Sequence, residues 1–357
     1  MKNKYIYCVI LFLFLLCGCY VQNDKLLPVF RELSSSSLLS KDVGINNIAY
    51  IENLECNDSF LVVTDYYEDN MFTLFDTRKE TYITRFGKIG QGNYELLPGC
   101  DGILIDNNYF IYLKDIGFVA QYDVDSLFVN AASKYKNKHN YKIDYGIFSK
   151  ILPLYGESKI YLGAGVYKDK YQYCLFDSLN NIKDISHEIY NYDDNGINKY
   201  HKYLSNQGVL KRNPMNNMFV YSLFNSSRLD FIYITNEYKI KSIKSHHLYD
   251  PEYKQWEGGG LNRVFPTENS IVGYLDLAVS ANYVYALFCN RKRYEITNGD
   301  RTSSDVISVF DWNGNPVKQI KLPFEIFNLA VNETSKEIYG SYKDDDDNWR
   351  IAFFTLP

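Results

Sequence analysis

The chain is predicted to be an all-β, six-bladed propeller with four antiparallel strands per blade. Three observations predict it. First, a short β-rich run with a central aromatic recurs six times, at Phe60–Tyr66, Tyr109–Asp115, Lys159–Val166, Met218–Phe224, Tyr283–Cys289 and Glu337–Lys343. A period near fifty residues is the mark of propeller blades. Second, each run follows a polar turn and is followed by another aromatic-rich run, as hairpins require. Third, the last repeat is one strand short, and the N-terminal side of the chain holds segments that can complete it.

Each repeat parses into four strands. The first takes Asn47–Glu52, Phe60–Tyr66, Met71–Thr77 and Thr81–Gly87. The second takes Gly102–Asp106, Tyr109–Asp115 and Phe118–Val124, then, after a polar loop at Ala131–Asn140, Tyr141–Tyr145. The third takes Phe148–Leu154, Lys159–Val166, Lys170–Asp177 and Ile182–Ile189. The fourth takes Gly208–Arg212, Met218–Phe224, Arg228–Thr235 and Tyr238–Ser245, whose alternation suits one wet face. The fifth takes Tyr274–Val279, Tyr283–Cys289, Val306–Trp312 and Pro316–Leu322, with Asn313-Gly314-Asn315 as the last hairpin turn. The sixth takes Ile326–Val331, Glu337–Lys343 and Trp349–Leu356. Its missing strand comes from Leu26–Leu33 or Ser37–Val43, which would close the ring and remove two open edges. No amphipathic helix is expected.

The first eighteen residues read as a signal peptide. Lys2 and Lys4 precede a nine-residue apolar run, Cys8–Leu16, too short to span a bilayer. Leu16-Cys17-Gly18-Cys19 resembles a bacterial lipobox, with Cys19 as the lipidated residue. Residues 19–27 would then be a tether and 28–357 the propeller. The expected location is the bacterial envelope, on a lipid anchor and facing the periplasm, since only Asp24 is acidic near Cys19.

Composition narrows the function classes. There are 34 Tyr and 22 Phe, residues favoured in strands. The net charge is −5 with both signs interspersed, so there is no basic patch for nucleic acid. No cofactor is called for. Cys56, Cys100, Cys174 and Cys289 make no CxxC or Cys/His cluster, which speaks against zinc. Cys174 and Cys289 read as buried hydrophobes; Cys56 and Cys100 sit in turn-like segments and are the favoured disulfide pair of the three pairings possible.

Thr84–Glu95 (TRFGKIGQGNYE) closes the first repeat. It resembles the "fGkiGqGpgE" turn of six-bladed TolB-like and NHL-like propellers, many of them Bacteroides lipoproteins. Gly87, Gly90 and Gly92 match, and Asn93-Tyr94 replaces the usual Pro-Gly. The resemblance implies the fold over nearly the whole mature chain and no particular activity.

Candidate sites are few. Gly87–Gly92 lacks the ending of a phosphate loop and reads as glycine turns. Asp344–Asp347 reads as a solvated hairpin tip rather than a calcium loop. The longest connection, Ser245–Ser270, holds His246, His247, Trp256, Glu257, three glycines and Arg263; His246, His247, Trp256 and Arg263 are the binding candidates. No metal is assigned to the His pair and no catalytic residue is named. The expectation is a binding or scaffolding module for a protein, peptide or glycan. The alternative is a metal-dependent hydrolase or lactonase of the central channel, which would gather Glu52, Asp106, Asn213 and Asp276.

Overall fold

The computed structural model describes residues 31–33, 40–42, 48 and 50–356, apart from 80, 114–116, 131–133, 145, 190–202, 204, 251, 259–260, 297–301 and 335. Two short strands, β1 (Arg31–Leu33) and β2 (Ser40–Asp42), precede the blades. Blade 1 is β3 (Asn53–Cys56), β4 (Phe60–Thr64), β5 (Asn70–Asp76) and β6 (Thr81–Lys88). Blade 2 is β7 (Asp101–Ile105), β8 (Asn108–Leu113), β9 (Phe118–Asp123) and, after helix α1 (Val124–Val129), β10 (Lys136–Asn140). Blade 3 is β11 (Gly146–Leu154), β12 (Glu157–Tyr167), β13 (Tyr171–Asp177) and β14 (Ile182–Glu188). Blade 4 is β15 (Gly208–Arg212), β16 (Met218–Leu223), β17 (Leu229–Ile234) and β18 (Ile240–His246). A hairpin of β19 (Tyr253–Gly258) and β20 (Leu261–Pro266) follows. Blade 5 is β21 (Ile271–Val279), β22 (Tyr283–Lys292), β23 (Ser304–Asp311) and β24 (Pro316–Ile326). Blade 6 is β25 (Asn328–Asn332), β26 (Glu337–Lys343) and β27 (Trp349–Thr355).

Within each blade the strands run in chain order and pair antiparallel. The N-terminal strands finish two blades. β2 pairs antiparallel with β27, Lys41 facing Phe353, as the fourth strand of blade 6. β1 lies parallel to β24, Glu32 facing Gln319, as a fifth strand on blade 5. The ring is also closed by packing: Leu54, Leu61 and Val63 of blade 1 share a core with Tyr339 and Ile351 of blade 6.

The middle strands of a blade have another blade on each side, so both of their faces are apolar. Every residue of β4 is buried, and so is all of β16 after Met218. Outer strands have solvent on one side: β14 carries no fully buried residue. Between blades 1 and 2 the layer is aromatic. Phe72 meets Tyr109 edge-on at 5.0 Å and Phe86 meets Tyr122 at 5.1 Å. Such contacts add about 0.5–1.5 kcal/mol beyond area burial.

Four expectations are corrected. The inner strand of blade 1 is Asn53–Cys56, not Asn47–Glu52. The Asn57 side chain accepts from the N–H groups of Ser59 and Phe60, which closes the hairpin directly before β4. The outer strand of blade 2 is Lys136–Asn140, inside the segment expected to be loop, rather than Tyr141–Tyr145. Tyr141 instead buries its ring beside Tyr112 and Phe176. A helix is present: Asp123 caps α1 by accepting from Ser126 N–H, and Val124 and Leu127 are buried. Finally, the thiols of Cys56, Cys100, Cys174 and Cys289 are free. Cys56 ends β3 and Cys100 precedes β7, so they line opposite ends of the channel.

Candidate functional site

The first strands face the axis, and those of blades 3, 4, 5, 6, 1 and 2 pack side by side in that order around it. Charge on these strands closes the channel at mid-height. Glu55 on β3 and Lys211 on β15 lie in blades 1 and 4, opposite each other in a six-membered ring. Their side chains nonetheless meet as a hydrogen-bonded ion pair, 6% and 3% exposed. Burial pushes the Lys211 ammonium down, but Glu55 and Asp276 push harder, and its pKa ends above the usual lysine value. Asp276 on β21 is buried too. It accepts from Leu277 N–H at 2.8 Å and from Leu329 N–H at 2.9 Å, which ties blade 5 to blade 6. Burial raises its pKa to about 6, against the lowering by Lys211 and the two backbone N–H groups.

This waist leaves a cavity at each end, and Lys211 is the one residue common to both walls. At the end where the first strands begin, a cavity of about 470 Å³ has mixed polar and aromatic walls. Asp101 pairs there with the buried Lys150 at 2.7 Å. Asn53, Asn328, Gln207 and Thr64 add amides and a hydroxyl, and Tyr112, Tyr203, Phe224 and Phe327 add rings. Long connections reach this end: Tyr203 and Gln207 lie before β15, Arg293 and Thr302 between β22 and β23. Arg293 donates to Asn225 Oδ1 at 2.7 Å. Tyr253, at the base of the β19–β20 hairpin, sits beside Ser205, Asn225 and Arg293, and burial pushes its phenol up to about 12. At the other end, where first strands turn into second strands, a cavity of about 850 Å³ has aliphatic walls on the first strands and a rim of carboxylates and amides from the hairpin turns.

The expected site residues fall as follows. Within the Ser245–Ser270 segment, Ser245 and His246 end β18 and Tyr253–Pro266 forms a hairpin rather than a loop, whose base packs at the rim of the smaller cavity. Trp256 and Arg263 are backbone partners within it, and their side chains lie outside the described residues. His246 is held elsewhere. Its Nε2 contacts Gly314 O at 2.7 Å, and its ring packs on Phe231 and Phe310, so it seals the seam between blades 4 and 5. His247 turns to Tyr249 O and Asp250. The pair does not face one point. The hydrolase set does not form either. Glu52 and Asp276 line one end of the channel and Asp106 the other, where Asn213 donates to Ala281 O. No group of three or more His, Cys, Asp or Glu suited to a metal occurs among the described residues. Cys19 and the signal peptide lie outside the described residues.

The acidic run is a turn, with Asp344 accepting from Asp346 N–H, Asn348 N–H and Arg350 Nε. Asp177 and Asp311 organise their hairpins in the same way, each with an Asn four residues on. Gly87 has φ +74 and Glu95 folds back to accept from Gly92 N–H at 2.8 Å, so the GKIGQG segment is a braced turn.

Sequence reasoning missed Glu55, Asp101, Lys150 and Lys211. The signal was available. A lone charge sits beside apolar residues in NLEC and FSKILPL and two adjacent charges end GVLKR, all at first-strand positions of the repeat. A charge there must point at the axis.

A family model described as a TolB-like 6-blade propeller-like matches residues 32–334. Among solved structures, the chain resembles a Bacteroides fragilis protein whose description proposes that it is exported. The TM-score is 0.55 at 12% identity, over 92% of this chain and 99% of that one. It also resembles a DUF4221 family member from Bacteroides vulgatus, with TM-score 0.53 and 11% identity over 92% and 98% of the two chains. At these identities the likeness is one of fold. A search of curated proteins found no match.

Proposed function

We propose a function on the premise that this chain belongs to the TolB-like 6-blade propeller-like family: it is a lipid-anchored binding module of the bacterial envelope, taking a protein, peptide or glycan ligand at the 470 Å³ mouth. The observation that carries the reading is the blind polar funnel. Its floor is Lys211, held from the far side by Glu55, and its wall combines carboxylate, ammonium, amide and aromatic groups. Ligand sites are concave, with a few placed polar groups among apolar ones, and this volume suits a sugar unit or a few residues of a peptide. The β19–β20 hairpin and the long connections stand at the same rim, where they can add contact area. The separation of Glu52 and Asp276 from Asp106 and Asn213 removes the residue set on which the hydrolase reading rested.

Two experiments test it. Surface plasmon resonance against panels of peptides and soluble glycans is expected to yield a ligand whose affinity falls at least about tenfold in Gln207→Ala with Asn225→Ala. A ligand indifferent to both changes would bind elsewhere and sink the assignment of the mouth. The anchor rests on Lys2, Lys4, the Cys8–Leu16 run and Cys19. Metabolic acyl labelling should mark the wild-type chain and not Cys19→Ser; equal labelling of both would refute lipidation at that residue.

A further inference from the structure

We propose a second binding site, independent of the first, at the opposite mouth of the channel: Arg212 is an anion subsite for a carboxylate carried on an aliphatic group. Three cations are buried among the described residues, Lys150, Lys211 and Arg212. Lys150 has Asp101 and Lys211 has Glu55. Arg212, the last residue of β15, has no carboxylate within ion-pair distance among the described residues. It is 5% exposed, and its one recorded hydrogen bond runs from Nη1 to Pro153 O at 3.1 Å. Its Nε has no acceptor at all. The guanidinium stands 5.6 Å from the centre of the Tyr155 ring, which steadies it without neutralising it.

An arginine cannot escape such a position by losing its proton. Burial lowers its pKa to about 10, so the charge persists at neutral pH. A buried charge without a partner is costly, and a desolvated guanidinium recovers most when an anion meets its fork. Arg212 lines the 850 Å³ cavity, so an anion can come from outside. The cavity defines which anion. Arg212 is its one cation without an acid, because Lys211 is already balanced by Glu55. Asp58, Asp106 and Glu333 also line it and would repel a dianion such as a phosphate monoester. Ile103, Ile105, Ala278, Ala330 and Val331 form aliphatic walls with no polar side-chain atoms. A monoanionic carboxylate with an aliphatic body fits. It can be a free short-chain acid or the C-terminal carboxylate of a peptide ending in an aliphatic residue.

The test is calorimetric titration of the full chain with hexanoate, with acetyl-Ala-Val as free acid, and with the same dipeptide amidated. At least one acid should bind and the amide should not. Which acid binds tells the two sources apart. Arg212→Gln should weaken that acid at least about tenfold, the loss of one charge-assisted pair. Asp106→Asn should strengthen it several-fold, because Asp106 is the acid that Arg212 feels most. Should Arg212→Gln fail to fold, Asp106→Asn decides alone. The proposal is overturned if neither acid binds below about 10 mM, if amide and acid bind alike, or if Asp106→Asn leaves the affinity unchanged. A purely structural Arg212, holding only Pro153 O, would shift the melting temperature and leave acid binding untouched.

Discussion

The two mouths of the channel are built from the same six strands and are chemically unlike. Where the first strands begin, the wall holds paired charges, amides and rings, and the connections between blades stand around it. Where they end, aliphatic walls meet a rim of carboxylates and amides, the connections are short hairpins such as Asn57–Ser59 and Asp106-Asn107, and a single guanidinium lacks an acid. The difference follows from topology. A hairpin between first and second strands is constrained by their pairing and stays short. A connection between blades only has to reach the next first strand, so insertions such as β19–β20 gather at that end. Size is therefore a poor guide here: the wider cavity lies on the side with less room for elaboration.

The Glu55–Lys211 pair keeps the two mouths apart, and breaking it has the largest expected effect. Lys211→Met leaves Glu55 buried and unpaired and should cost about 3–5 kcal/mol, read by chemical denaturation. Adding Glu55→Leu should recover most of that loss, because both charges are then gone. A single mutant as stable as wild type would mean that water fills the waist. Next comes Gly208→Ala at the start of β15. An added Cβ would lie 1.6 Å from Ser222 O, a backbone atom, and overpacking of this kind costs roughly 1–3 kcal/mol. A melting temperature unchanged by that substitution would show the polar mouth to be looser than it is drawn.

Acidity sharpens the contrast further. Burial raises both Asp276 and Asp65 to about 6, whereas an unfolded aspartate titrates near 4. The folded state then binds more protons between those values, so the contribution of these two groups to stability grows as pH falls from about 7 to 4. Asp230 acts in the opposite sense. Burial raises it, but Arg228, Ser245 and Tyr173 lower it further, and its contribution is lost as pH falls through its depressed folded pKa. The melting temperature should hold or rise from pH 7 to 5 and fall below about pH 4. Asp276→Asn should remove part of the rise; a steady decline from pH 7 downward would contradict the assignment. The smallest effect is expected away from the channel. Asp311→Ala removes a side chain that accepts from Asn313 N–H and Asn315 N–H, at about 1 kcal/mol by thermal melting, and should leave ligand binding at both mouths unaltered.

How legible these features were depends on how local they are. Blades 3, 4 and 5 lie within a few residues of their sequence reading, because alternation and hairpin turns are encoded in neighbours. Blade 2 was misread where α1 takes the chain out of the sheet, although Asp123 before Val124-Asp125-Ser126 is a capping signal. The inner strand of blade 1 was misplaced because the strand-like Ile48–Ile51 stretch outweighed the turn made by Asn57. The waist was invisible for a different reason. Glu55 and Lys211 are 156 residues apart, and only ring geometry puts them face to face.

The seam at blade 6 has a consequence in time rather than in space. Ser40 pairs with Phe354, so β2 waits for β27, which is made after every other blade strand. Contacts so remote in sequence form slowly, since loop closure must be achieved before pairing is rewarded. Until residues 349–355 have been synthesised, every intermediate carries the exposed strand edges that promote association between chains. The protein is therefore expected to pass its most aggregation-prone stage just before β27 docks, and a helper that holds the open ring at that moment would raise its yield more than any stabilising change in the blades.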